Sequence, residues 1–397
     1  MKEISQCEVC GNRNLRQVLD LGKHPLCDDL APIGSDRRCV EYPIEVLFCD
    51  RCLTAHQRYQ VPSRTLFTDT YHYRARVTGS VLSGMAELVS SCELKLGSLG
   101  GRTVLDIGCN DGSLLNYFSE KGCRTIGIEP TAAADESRHT TIKAFFDRAS
   151  VERILQAVGQ PQIITFTNVF AHIENLPELI ENLGRLISGD TVVVIENHYL
   201  GAILDYGQFD TFYHEHPRTY SYQSFRQIAT SLGLNVTDVQ FVSRYGGNIR
   251  VYLSLGKPSD LEVNEQHFSQ MFTTLGQSVA GWSVAMRRRI DALSGEFGPL
   301  RAKAFPGRAA ILIKLLDLDE RSIAAVYEIR GSKKVGHYVP STRIPILPEV
   351  DLFALPDQTL PILNLAWHIP DEVRANLRSH GYQGEVVNIK DFVLQPR

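Results

Sequence analysis

The chain has 397 residues with 41 Lys and Arg against 45 Asp and Glu, a formal charge of -4, so at roughly 100 to 200 residues per domain two to four domains are expected. The near balance of charge excludes a global basic field for phosphate backbones or anionic lipid, and 43% hydrophobic with 22% charged residues excludes wholesale disorder. No apolar run approaches the roughly 18 residues that cross a bilayer, and Met1-Lys2-Glu3-Ile4-Ser5 opens no signal peptide; the expectation is a soluble cytoplasmic protein, monomeric or a small homo-oligomer, that binds neither nucleic acid nor membrane.

Residues 1–66 are expected to form a small module. Nine cysteines are too few and too unevenly placed for a disulfide framework, but four of them form two CxxC knuckles, Cys7-Glu-Val-Cys10 and Cys49-Asp-Arg-Cys52, 38 residues apart. Two thiolates from each knuckle close one structural Zn²⁺, a site with no open position for chemistry. The redox alternative needs a CxxC that opens a helix, and Cys10 runs into Gly11-Asn12 instead. Cys27, Cys39, Cys92, Cys109 and Cys123 read as small core residues. Around the knuckles, Val18 to Leu21 and Tyr42 to Phe48 read as strands.

A helix is expected from about Val77 to Leu94, and then the pattern changes. Thr103 to Ile107, Thr125 to Ile128, Gln162 to Phe166 and Thr191 to Ile195 are apolar runs separated by helix-length spacers, as a parallel sheet covered on both faces requires. Val236 to Phe241 and Ile249 to Leu255, joined through Gly246-Gly247, read as an antiparallel hairpin edge. This α/β domain spans 67–258. A connecting helix is expected within 259–299, with Phe268, Met271, Phe272, Leu275 and Val279 at helical spacing. Ala309 to Ile313, Ser322 to Glu328, Pro345 to Leu347 and Leu360 to Leu365 then read as strands of a second, smaller α/β domain, 300–397.

Asp106-Ile107-Gly108-Cys109-Asn110-Asp111-Gly112-Ser113 follows the first strand of the sheet and opens a helix. Its glycines let the backbone approach a ligand beside free helix-start N–H groups. Asn110 and Ser113 stand where a GxGxxG loop has its second and third glycines, which disfavours pyrophosphate cradling. Glu129, 21 residues beyond Gly108, is placed to accept hydrogen bonds from ribose hydroxyls. The pairing resembles the S-adenosylmethionine site of class I (Rossmann-like) methyltransferases, with Asp106, Gly108, Asn110, Gly112 and Glu129 as candidate cofactor residues. Asp147 and Asn168 fall on the same carboxyl edge, and Phe145 or Phe146 either stacks adenine or packs in the core.

The densest cluster of titratable groups is Glu196-Asn197-His198 followed by Tyr213-His214-Glu215-His216. His214 and His216 in HxH spacing suit metal ligation, hydrogen-bonded polar packing, or acid–base chemistry, in which His216 takes a proton while Glu215 orients its surroundings.

The two CxxC knuckles with Leu19-Asp20-Leu21-Gly22, Tyr71-His72-Tyr73, LDIGCNDGSLL, Asn168-Val169-Phe170-Ala171-His172-Ile173, Tyr213-x-Glu215-His216, Gly246-Gly247-Asn248-Ile249-Arg250, Gly336 to Ile346 and Leu365 to Glu372 together resemble the deoxysugar C-methyltransferases that act on nucleotide-linked 4-keto-6-deoxy sugars. The resemblance implies methyl transfer from S-adenosylmethionine to a carbon beside the ketone, expected at C3. His216 is then the base acting through an enolate, with Tyr213, Glu215, His214 and either Tyr71 or Tyr73 around it. It also implies a nucleotide-sugar site to which the C-terminal domain contributes, with Arg343, Arg250 or Lys333-Lys334 for the diphosphate. One departure is that the family's Lys-Gly pair is missing from Pro306 to Leu316. A zinc-ribbon RNA methyltransferase is the competing enzyme, but Asn168-Val169-Phe170-Ala171 is not its nucleobase-stacking loop. A non-catalytic S-adenosylmethionine-binding interaction module is the competing non-enzyme.

Overall fold

The computed structural model describes residues 1–69 and 71–390. They divide into two units, one made of residues 1–16, 47–203 and 215–269, the other of 17–46, 204–214 and the chain from Gln270 on.

The first unit is built on seven strands: β1 Thr103–Ile107, β2 Arg124–Ile128, β3 Thr140–Ile142, β4 Ile163–Thr167, β5 Val192–His198, β6 Asn235–Val242 and β7 Asn248–Ser254. Their spatial order is β6-β7-β5-β4-β1-β2-β3. β7 runs antiparallel to β5 and to β6, while the remaining neighbours are parallel. Side chains alternate between two buried layers. Leu105, Ile164, Val193 and Ile195 face the helices Arg148–Val158, Leu176–Leu186 and Tyr222–Ser231, whereas Val104, Ile163 and Val194 face Gly79–Leu96 and Ser113–Glu120. Burial on both faces explains why these strands are apolar throughout rather than alternating. The expected class of fold is thus observed: a methyltransferase sheet with an antiparallel edge hairpin, a cysteine cluster, and a second α/β sheet.

In the second unit, β8 Leu300–Lys303, β9 Ile323–Glu328, β10 Ile346–Pro348, β11 Ile362–Asn364 and β12 Val386–Asn388 form a parallel sheet in the order β10-β9-β8-β11-β12. Residues 17–46 group with this sheet. Ala31–Pro32 pairs with His337–Tyr338, and Lys314 meets Glu41 at 2.8 Å.

Three sequence expectations shift. Ala309 to Ile313, read as a strand, is the start of the helix Ala309–Leu315. A short run that is apolar on every side carries no period, and its Ala, Leu and Lys content favours a helix. The strand that opens this sheet is instead Leu300–Lys303, whose Arg301 and Lys303 mask its apolar character. The connecting helix is Phe268–Phe297, which leaves residues 259–267 of the expected 259–299 span outside it.

Candidate active site

The parallel strands of the first unit deliver their loops to one edge. At the end of β1, Gly108, Asn110 and Gly112 have φ of 73°, 50° and 77°. A Cβ on Gly108 would lie 2.6 Å from the Val169 side chain, so nothing larger fits there. Glu129, just past β2, is buried and held beside this loop. Its Oε1 accepts from Thr131 N at 3.0 Å and Thr131 Oγ1 at 2.6 Å, and its Oε2 from Asn110 N at 3.1 Å. Asn110 in turn accepts from Ala75 N at 3.0 Å and donates to Tyr73 O at 3.2 Å, while Asp111 accepts from Arg76 N at 3.1 Å. Residues 73–76 therefore latch onto the glycine loop. Left-handed backbone that lets the loop approach a ligand and a fixed carboxylate at the neighbouring strand end fit S-adenosylmethionine.

Other candidates for that site are placed differently. Asp106 is buried in β1, accepting from Thr165 Oγ1 at 2.7 Å, and burial pushes its carboxyl up to about 7; it braces the strand from within. Phe146 packs against the core, and Phe145 lies under the Arg64 guanidinium. Asp147 caps the helix Arg148–Val158 through Ser150. Asn168, at φ 53°, accepts from Asn248 Nδ2 at 3.0 Å.

A cluster of rings occupies the same edge. The His216 ring lies 4.8 Å from that of His172 and 5.4 Å from that of His198. His172 closes the turn Phe170–His172 after β4, and His198 is the last residue of β5. Phe67 packs on His172 at 5.2 Å and on Tyr71 at 5.4 Å. The Tyr71 hydroxyl donates to Glu215 Oε2 at 3.2 Å. Burial pushes His172 well below the ordinary imidazole range, and neighbouring His216 adds to the shift. Sequence reasoning placed His198 in the titratable cluster and His172 in a resembling motif but gave neither a role, and it left Tyr71 level with Tyr73. The structure separates the two tyrosines: Tyr73 is 43% exposed, whereas Tyr71 reaches Glu215.

Arg218, fully buried two residues after His216, anchors this edge. It donates to Glu8 Oε2 at 2.5 Å, to Tyr220 Oη at 2.9 Å, and to the carbonyls of Ile173 and Glu174. Arg218–Thr219 also pairs antiparallel with His56 and Ala55 of the strand Thr54–Gln57, which begins two residues beyond Cys52.

The four knuckle sulfurs lie within 4.8 Å of one another, with Cys7 to Cys52 at 3.3 Å and Cys10 to Cys49 at 3.6 Å. The knuckles share one geometry. Gly11 N donates to Cys7 O at 2.9 Å and Leu53 N to Cys49 O at 2.8 Å, with φ of 72° and 55°. Sulfurs about 2.3 Å from a tetrahedral ion stand about 3.8 Å apart, so the set fits zinc. Among the described residues this is the one group of ligand atoms gathered as a metal requires, and the HxH pair is not part of such a group. His214 Nε2 instead lies 3.1 Å from Tyr42 O in the second unit, and burial pushes its imidazole down to about 4. It is a packing residue there. Tyr213 belongs to the second unit and is half-buried.

Residues 80–239 match a methyltransferase domain family, 7–67 a putative zinc binding domain, and 245–388 a C-methyltransferase C-terminal domain. C-methyltransferase NovU from Streptomyces niveus is 27% identical over 395 residues, covering 95% of this chain and 93% of that protein. The chain is similar to C-methyltransferases along nearly its full length. The glycine loop and Glu129 fit S-adenosylmethionine as methyl donor, and the four cysteines fit a structural zinc ion. Among solved structures, magnesium protoporphyrin IX methyltransferase from Synechocystis PCC 6803 with bound SAM is 14% identical, covering 43% of this chain and 78% of that one with a TM-score of 0.32. An O-methyltransferase family protein from Burkholderia thailandensis is 12% identical, covering 47% and 58% with a TM-score of 0.35. No helix among the described residues is long and apolar enough to cross a membrane.

Proposed function

We propose that this chain is a C-methyltransferase that methylates the carbon beside the ketone, C3, of a nucleotide-linked 4-keto-6-deoxy sugar, with His216 as the base. The observation that carries the reading is the gathering of His216, His172, His198, Glu215 and Tyr71 on the edge that also bears the glycine loop and Glu129. A ketone acidifies its neighbouring C–H bond, so a base within about 3 Å can break it and leave an enolate carbon as nucleophile. His216 takes that proton on a ring nitrogen. The single hydroxyl proton of Tyr71, donated here to Glu215 Oε2, is the one turned to charge developing on the enolate oxygen, and Glu215 keeps the ring in place. When bound, S-adenosylmethionine supplies an electrophilic sulfonium methyl. The carboxylate of Glu129 and the close backbone of the glycine loop would hold and orient it. Neutral His172 lines the base without competing for the proton.

Incubation with labelled donor and thymidine-, cytidine- and guanosine-linked keto sugars tests the reading. It predicts a mass gain of one methyl on one of them, and methyl transfer only to RNA or to a hydroxyl oxygen would overturn it.

A further inference from the structure

Tyr71 reaches Glu215 from a stretch with no regular structure. Residues 71–74 belong to no helix or strand, and the chain regains a turn at Ala75–Val77. Backbone carbonyls in such a stretch have no ladder or helix to accept from, so their partners come from side chains or water. Here one side chain supplies two of them. Arg74 Nη1 donates to Tyr71 O at 2.9 Å and to Tyr73 O at 2.8 Å, and its Nε donates to Glu136 Oε1 at 2.8 Å. The segment is thereby wrapped around its own guanidinium.

Glu136 fixes this arrangement from outside. It ends the turn Ala132–Glu136, which follows Glu129 in the chain, and also accepts from Arg76 Nη2. Arg74 is 6% exposed, so its charge is kept from water and depends on that carboxylate. Arg74, with Arg76 behind it, holds the Glu136 carboxyl below the ordinary carboxylate range, which keeps the pair ionised at neutral pH. Ala75 N and Arg76 N bond the side chains of Asn110 and Asp111, so the glycine-loop end of the segment is tied through its backbone. At the other end Tyr71 N bonds locally, to Thr68 O at 3.0 Å, and Tyr71 O is tied through the guanidinium to Glu136.

We propose that Arg74, braced by Glu136, is the positioning residue that seats the Tyr71 hydroxyl against Glu215. The proposal rests on the reading of Tyr71 as the hydroxyl turned to the enolate oxygen. A guanidinium suits the task because its N–H groups leave a rigid plane in fixed directions. A carboxylate on Nε therefore sets where Nη1, and with it the two carbonyls, must lie. Lysine keeps the charge but gathers its donors on one atom at the end of a flexible stem and fixes no such directions. A displacement of about 1 Å in a positioned group can cost on the order of 10² in rate, so a loosened Tyr71 backbone is read out at its hydroxyl.

Steady-state kinetics of the full chain on the keto sugar, with Arg74→Lys, Glu136→Gln, Tyr71→Phe and the two double variants that contain Tyr71→Phe, test it together with a crystal structure of each single variant. Arg74→Lys is expected to lower kcat about 10- to 10²-fold, with KM and the S-adenosylmethionine Kd close to wild type, and to move the Tyr71 hydroxyl out of hydrogen-bond reach of Glu215. Glu136→Gln, which leaves Arg74 in place, is expected to do the same to a smaller extent and carries the test should Arg74→Lys not fold. In the Tyr71→Phe background each change is expected to lower kcat by less than about threefold, because a group that acts through the hydroxyl has nothing left to act on. Equal losses with and without that hydroxyl, or an unmoved Tyr71 ring at wild-type kcat, would contradict the assignment of Arg74 while a slowed Tyr71→Phe keeps the reading of Tyr71. Wild-type turnover in Tyr71→Phe removes both. Should the wild-type chain methylate no keto sugar, the reading of the reaction falls, and a displaced Tyr71 ring in the Arg74→Lys crystal structure still supports the seating.

Discussion

The hydroxyl of Tyr71 donates to Glu215 Oε2 at 3.2 Å, joining groups 144 residues apart in the chain. The segment that carries Tyr71 is also tied to the glycine loop through Ala75 and Asn110. One stretch of backbone thus connects donor binding to the residues around His216.

That connection separates two tyrosines that lie two positions apart. Tyr71→Phe is expected to lower kcat by about 10² with the donor Kd unchanged, while Tyr73→Phe stays close to wild type because that ring is largely exposed. Steady-state kinetics on the two variants check this, and equal losses would contradict the placement.

Zinc is expected at one ion per chain by elemental analysis. Its removal with a chelator, or Cys52→Ser, should lower Tm and abolish methyl transfer, because the strand after Cys52 pairs with Arg218–Thr219 next to His216. Structural zinc contributes folding free energy on the order of 10 kcal/mol. Metal-free protein with full turnover would refute the coupling.

For the donor site, Glu129→Ala is expected to raise the S-adenosylmethionine Kd about 10- to 100-fold by calorimetry, through loss of hydrogen bonds to a charged group. Gly108→Ala is expected to do at least as much, since it sets a Cβ at positive φ 2.6 Å from Val169.

His214 gives a pH signature. Burial holds its folded pKa at about 4 against an ordinary 6.5, so between those values the unfolded chain binds more protons and stability falls as pH drops from 6.5 toward 4. The contribution is about 3 kcal/mol at full extent. Denaturation midpoints at pH 7 and pH 5 should therefore converge in His214→Gln relative to wild type. An unchanged difference would show that this imidazole is not held neutral.

Much of this architecture was legible because each signal was local. β1 follows Gly101 and ends at the glycine loop, and its apolar run reflects burial on both faces; the two knuckles are read from spacing alone. Ala309–Leu315 was not legible, because an apolar stretch of that length suits a strand or a buried helix equally. His172 and His198 were read without a role for a different reason. Each is a single imidazole in its own loop, and only the parallel pairing of β4 with β5 carries both to the edge where His216 arrives from a later segment. Spacing likewise could not choose between Tyr71 and Tyr73, since the choice depends on which ring the latch to Asn110 leaves exposed.

The base itself is tested most directly by His216→Asn, assayed for turnover on the keto-sugar substrate and for S-adenosylmethionine binding by calorimetry. The expected result is a loss of about 10² to 10⁴ in kcat with donor affinity unchanged; wild-type turnover in that variant would contradict the role given to His216.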